Sequence, residues 1–223
     1  MSGSLGRELL EVLGACLIAA LVGVSLYFDV RVAFDIKLVE AVALCLQAFL
    51  VHDLAHKLGA RGLASRGHFR LSPVGAFFSL FIAGISNIVS LALITIKKAL
   101  GLSLVGAWRP APYRMITPGS VVVPGRRRKV ELGKVAATGP IASVSLSWAL
   151  LASACLLEAS RLRELLLLAS ALNAYTALSN LLPLAFCDGL AIYWWSREVW
   201  LILLANTIAL IAIANLALFL GLL

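Results

Sequence analysis

The sequence predicts an all-α integral membrane protein of about five to six transmembrane helices, with a re-entrant or interfacial segment and a short β element within residues 70–134. Three observations lead there. Of 223 residues, 61% are hydrophobic and 13% charged, with a mean hydropathy of +0.99. A soluble domain is nearer half apolar and a quarter charged, and a soluble fold of this size has too little interior to hide so much apolar surface. The apolar residues also gather into runs close to the roughly 20 that a helix needs to cross a bilayer. Finally, the runs are rich in Leu and Ala, which favour helix, and lack the alternation of a membrane barrel. A soluble globular enzyme and a disordered chain are both excluded.

The elements follow in order. Residues 9–28 form the first run, with Glu8 and Glu11 near its start. It lacks a convincing cleavage site and reads as a span, not a removed signal peptide. A charged turn covers 29–37, and the second run, 38–60, contains His52, Asp53 and His56. A basic loop with Arg61, Arg66, His68 and Arg70 leads to the run 77–96, which Gly84, Ser86 and Asn87 interrupt. Residues 97–134 are a polar, basic loop with Pro110, Pro112, Pro118, Pro124 and the cluster Arg126, Arg127, Arg128, Lys129. Within it Val121, Val122 and Val123, bounded by prolines, read as a short strand. The run 135–157 contains Gly139-Pro140, the run 165–186 leads into Asp188-Gly189, and 199–223 carries no charge. The whole, 1–223, reads as a single membrane domain. Cys16, Cys45, Cys155 and Cys187 form no C-x-x-C pair and read as apolar packing residues. The net charge of +8 reads as basic cytoplasmic loops. Nucleic acid is not an expected partner, because no basic platform with interleaved aromatics is present.

His52-Asp53-Leu54-Ala55-His56 carries the chemistry. On a helix, positions i and i+4 share a face, so both imidazoles can reach one metal ion, and zinc prefers such nitrogen ligands. A carboxylate beside the first His is placed to take a proton from a water that the metal acidifies, the logic of H-E-x-x-H metalloproteases. Ionisable residues in a span are costly and mark function by default. Haem is a poorer reading, because two His on one helix face cannot sit on opposite sides of one haem, and His68 reads as a solvated loop residue. A catalytic zinc site needs a third protein ligand. Asp188 stands out, just after Pro183 has loosened the helix; Cys187 is the alternative soft ligand.

These residues, with Gly139-Pro140 and Asn180-x-x-Pro183-x-x-x-x-Asp188-Gly189, resemble the site-2 protease family of intramembrane zinc metalloproteases. The resemblance covers about residues 40–190 as a metalloprotease core, with three motifs in the family's order. It implies that His52, His56 and Asp188 bind Zn2+, and that Asp53 stands where the family's catalytic glutamate stands. It implies that Asn180 orients the substrate backbone or stabilises the oxyanion. Residues 72–77 and those following look like the family's substrate-access segment. The chain departs from the pattern at Asp53, at Ser143 (often Asn) and at Leu190 (often Gly). Asp is shorter than Glu by about 1.5 Å, one carbon–carbon bond.

For Asp188 to meet the histidines, the chain between the runs 38–60 and 135–157 must cross an even number of times. Either 77–96 fails to cross, or the 77–134 region crosses and returns. With 77–96 not crossing there are five full spans, a cytoplasmic N-terminus and an outer C-terminus. All of the 19 Lys and Arg except Arg31, Lys37, Arg161 and Arg163 then fall on the N-terminal side, the division that the positive-inside rule expects.

The expected function is intramembrane zinc endoproteolysis of a transmembrane protein substrate within the lipid bilayer. A zinc-binding pseudoprotease or membrane scaffold is the alternative that Asp53 raises. A metal or ion transporter is the third reading, disfavoured because the acids and histidines do not form a chain across the bilayer.

Overall fold

A computed structural model describes residues 2–30, 36–62, 67–100, 111–125, 127–158 and 160–220. Residues 31–35 and 63–66 of the two charged turns, 101–110 of the long polar loop, and Arg126 lie outside the described residues. The protein is an all-α membrane protein. Its helices are α1 (Ser2–Val30), α2 (Leu38–Gly62), α3 (Pro73–Leu100), α4 (Lys129–Cys155), α5 (Arg161–Leu181), α6 (Asp188–Trp195) and α7 (Arg197–Leu220). Two strands, β1 (His68–Leu71) and β2 (Gly119–Val122), pair antiparallel with His68 opposite Val122 and Leu71 opposite Gly119.

Five helices, α1, α2, α3, α4 and α7, are long and apolar enough to cross a membrane. The expected five spans included the run that became α5 rather than α3, and the difference is physical. Helix α5 lies at the centre of the bundle, packed on α4, α7 and α2, and is buried almost continuously from Leu167 to Leu181. Facing protein rather than lipid, it can carry polar residues that bind its neighbours. Gln47 of α2 and Asn173 of α5 exchange amide hydrogen bonds at 3.0 and 3.3 Å. Ser147 of α4 and Ser170 of α5 each donate to the other's carbonyl at 2.9 Å. Arg161 grips both oxygens of Glu40 at 2.7 and 2.8 Å. Helices α1 and α2 touch through small residues; a Cβ on Gly23 would stand 2.6 Å from the Val42 Cα, so only glycine permits this approach.

Helix α3 is continuous, and Gly84, Ser86 and Asn87 do not break it. It leaves β1, which is docked beside the start of α1: Glu8 and Glu11 accept from Phe69 N–H and Leu71 N–H at 3.0 and 3.1 Å. By Ala83–Asn87 it has reached the far end of α1, where Ser25 Oγ donates to the Ala83 carbonyl and to Asn87, and Ser86 donates to Asp29. The described part of the return, 111–118, contains no helix. Residues 111–118 run back through the interior: Arg114 is fully buried against Asp29, Ser86 and Asn87, Thr117 N–H donates to Ser79, and Pro118 accepts from Ser72 N–H. Eight extended residues reach on the order of 25 Å, most of a hydrocarbon core. Helix α3, long and apolar enough to cross a membrane, thus runs along α1 away from β1, and the described segment 111–118 runs back toward it, the arrangement of the second route. The division of charge expected from a non-crossing 77–96 is accordingly not kept, since Arg114 lies at the opposite end of α1 from β1, neutralised by Asp29. Two small elements, β1 and α6, were not foreseen; the expected strand at 121–123 is present as Gly119–Val122.

Breaking a buried ion pair from one side leaves an uncompensated charge and costs about 3–5 kcal/mol. Asp29→Ala is expected to lower unfolding stability in detergent by that order, and Asp29→Leu with Arg114→Met to recover most of it. Equal loss in single and double variants, measured by denaturant titration, would contradict the pairing.

Candidate metal centre

Helix α2 presents His52 and His56 one turn apart toward α4, both buried. The chain leaves α5 at Leu181, turns through 182–187, and starts α6 at Asp188. That turn delivers the Asp188 carboxylate onto the two rings. His52 Nε2, His56 Nε2 and Asp188 Oδ2 form a triangle with edges of 3.1, 3.0 and 3.1 Å. Around a tetrahedral ion with bonds of about 2.0–2.1 Å, ligand atoms stand roughly 3.3 Å apart, so the triangle is close to the size of a metal site. Among the described residues these three form the group of His, Cys, Asp and Glu able to hold one metal ion. Cys187 lines the adjoining cavity but is not part of the group.

The other ring nitrogens fix how the imidazoles present themselves. His56 Nδ1 lies 2.9 Å from the Val135 carbonyl. A carbonyl only accepts, so in a neutral ring Nδ1 carries the proton and Nε2 offers its lone pair to the centre. His52 Nδ1 lies 3.0 Å from Ser143 Oγ, which can accept in the same way. Both partners come from α4. Gly139, on the same helix, faces the two rings. A Cβ there would stand 2.3 Å from His56 Nε2 and 2.7 Å from His52 Nε2, so the helix keeps open the space that an ion and its open coordination position need.

Asp53 is buried at 7% exposure, and its side chain makes no hydrogen bond or ion pair among the described residues. It is the residue the sequence places as base, and it adjoins the cluster on α2. Asn180 is buried on α5 with its amide donating to the Thr176 carbonyl at 2.9 Å, and it is not among the residues that line the cavity. The cavity, about 230 Å³, lies between β2, α4 and the 182–188 turn, and reaches His56 and Asp188. Val121, Val123, Leu132, Val135 and Phe186 make it mostly apolar. Phe186 stacks on Phe78 of α3 with centroids 5.3 Å apart, which ties the wall of the cavity to the outlying helix. Sequence reasoning noted Ser143 only as a departure from a pattern; its place one α-helical turn beyond Gly139 on α4 was the available sign that it faces the same rings.

Comparison of the chain with protein-family models, with curated proteins and with solved structures finds no match.

His56→Ala and Asp188→Ala are each expected to abolish stoichiometric metal in the purified protein, as read by elemental analysis. Gly139→Ala is expected to do the same while leaving helical content unchanged. Ser143→Ala, which removes only an outer partner, should weaken metal affinity by about 10–100-fold in a chelator competition. Full metal retention by Gly139→Ala would show that the ion does not sit between these rings.

Proposed function

We propose that this chain is an intramembrane zinc metalloendopeptidase resembling the site-2 proteases, with a transmembrane helix as substrate. The observation that carries the reading is the convergence of His52, His56 and Asp188 inside an apolar helical bundle, with His56 and Asp188 lining a cavity and the buried Asp53 next in sequence to His52 but outside that lining and without a side-chain partner among the described residues. Two imidazoles and a carboxylate are a donor set that suits catalytic zinc. Zinc, when bound, polarises a carbonyl and brings the pKa of water down to about 7.

The chain's own residues do the rest. Val135 and Ser143 hold the two rings with Nε2 turned inward. Asp53, unengaged by the described residues, accepts the proton of the attacking water and passes it to the leaving amine. A transmembrane helix hides its carbonyls in internal hydrogen bonds, so a stretch of substrate must unwind before attack. An unwound stretch needs new backbone partners at membrane depth. Strand β2 pairs only with β1 among the described residues, and its Ser120 and Val121 line the cavity. Its free edge can pair with the opened segment as an added strand, while the apolar cavity wall takes the side chains.

A second reading is a zinc-binding pseudoprotease that holds helices without cutting. It is favoured by the shorter arm of Asp53, since a misplacement near 1 Å can cost about 10²-fold in rate. Cleavage of a panel of transmembrane substrates by purified, zinc-loaded protein separates the two. The protease reading expects cleavage by the wild type, a loss of at least about 10²-fold in Asp53→Asn, and unchanged zinc content in that variant. Absence of cleavage by both the wild type and Asp53→Glu would overturn it and leave the scaffold.

A further inference from the structure

We propose that the basic cluster at the cavity mouth selects substrates whose juxtamembrane segment at this end of the bundle is acidic. The inference rests on the protease reading of the same site and names its substrate class. The geometry is local. Strand β2 contributes Ser120 and Val121 to the cavity, and Val123 follows. Arg127 and Arg128 come four and five positions later, in the connection to α4. Leu132, Val135 and Ala136 line the cavity from α4, and the exposed Lys129 lies one turn before Leu132 on the same face. Lys129 Nζ stands 5.8 Å over the Trp194 ring, and Trp194 lies one turn beyond Ala191, a lining residue of α6. Lys129 therefore bridges the two walls. Arg197 lies 5.0 Å over Tyr193 at the end of the same short helix, and the exposed Arg70 is the ladder partner of Ser120. The acids on these turns are Glu131, held by Arg128 at 3.2 Å, and the exposed Glu198. The balance at the rim is positive.

Orientation alone does not require this placement. A topology signal works from anywhere in a short loop, whereas here Lys129 stands one turn from the cavity-lining Leu132 and Arg70 opposite the cavity-lining Ser120. Were this end cytoplasmic, most membrane proteins would bring Lys and Arg to the rim and be repelled. A helix flanked by Asp and Glu is attracted and held in register. The rim thus discriminates by exclusion as much as by attraction.

The test uses full-length, zinc-loaded protein in phosphatidylcholine nanodiscs. The probes are three peptides with one common span of about 20 apolar residues, flanked at this end by Asp-Asp-Glu, Gln-Gln-Gln or Lys-Lys-Lys. Binding is read by energy transfer and cleavage by mass spectrometry, separately. The acidic flank is expected to bind about tenfold more tightly than the basic one, with the preference collapsing near about 0.5 M salt as screening shortens the field. Arg127→Glu with Lys129→Glu should reverse the order; the salt response of the wild type keeps the test decisive if that variant does not fold. Equal binding of all three peptides overturns the inference, and cleavage in that case leaves the protease reading standing. A flank preference without cleavage sustains the charge selection and overturns the protease reading. If flanks make no difference and the double variant loses binding only in nanodiscs containing phosphatidylglycerol, the cluster serves lipid headgroups and the inference fails.

Discussion

The return of the chain through residues 111–118 is the constraint on which the rest depends. Two histidines on α2 and a carboxylate after α5 can meet only if the chain between α2 and α4 comes back to the end it left. A helix could do this, but the described part of the return, 111–118, is irregular and largely buried, where each unpaired backbone group is expensive. The surroundings supply the partners. Asn215 accepts from Ala111 N–H and Tyr175 donates to the Ala111 carbonyl. Arg114 donates to the Tyr113 carbonyl, Ser79 takes Thr117 N–H, and Ser72 N–H donates to Pro118. The partners come from α3, α5 and α7, so the return segment is also what ties the outlying α3 to the core.

The His52, His56 and Asp188 cluster, which could hold a metal ion, is assembled from the same logic of small, polar contacts between helices. Ring orientation depends on α4, through Val135 and Ser143, and the space for an ion depends on the missing side chain of Gly139. The position of Asp188 depends on where α5 stops. Trp200 of α7 donates to the Leu181 carbonyl at 2.8 Å, satisfying an orphan acceptor at the helix end and fixing the turn that follows. A shift of any one of these helices would open the triangle, because packed interiors transmit displacement instead of absorbing it.

Much of this was legible in the sequence, and the reason differs between elements. The His52/His56 pair and Asp188 stand out because ionisable residues are scarce in apolar runs, so each is a strong signal. The requirement for an even number of crossings follows from the same three residues. What was not legible rests on tertiary compensation. Helix α5 is only modestly apolar, because protein rather than lipid covers it. Strand β1 carries His68 and Arg70 and reads as a basic loop; it is a strand because Glu8 and Glu11, about 60 positions away in sequence, satisfy one edge and β2 the other. The buried course of 111–118 could not be read from its prolines, which signal only an absence of helix. Gly84 and Asn87 suggest a bend by propensity, yet Asn87 is instead a polar contact to Ser25 and Arg114 inside an unbroken helix.

Accounting for the acids sharpens the place of Asp53. In a chain this poor in charge, an acid inside the bundle needs a partner or a task. Glu8 is held by Lys57 and the Phe69 N–H, Glu11 by Arg7 and the Leu71 N–H. Asp29 is paired with Arg114, Glu40 with Arg161, and Asp188 lies on the two histidines. Each of these builds a junction between elements. Asp53 is more deeply buried than most of them and joins nothing among the described residues. Burying an unpaired carboxylate works against folding, and an apolar residue at the same position would pack at no such cost. Asp53 stands next in sequence to the cluster that, among the described residues, could hold a metal ion, and the proposed protease reaction would put its proton affinity to use.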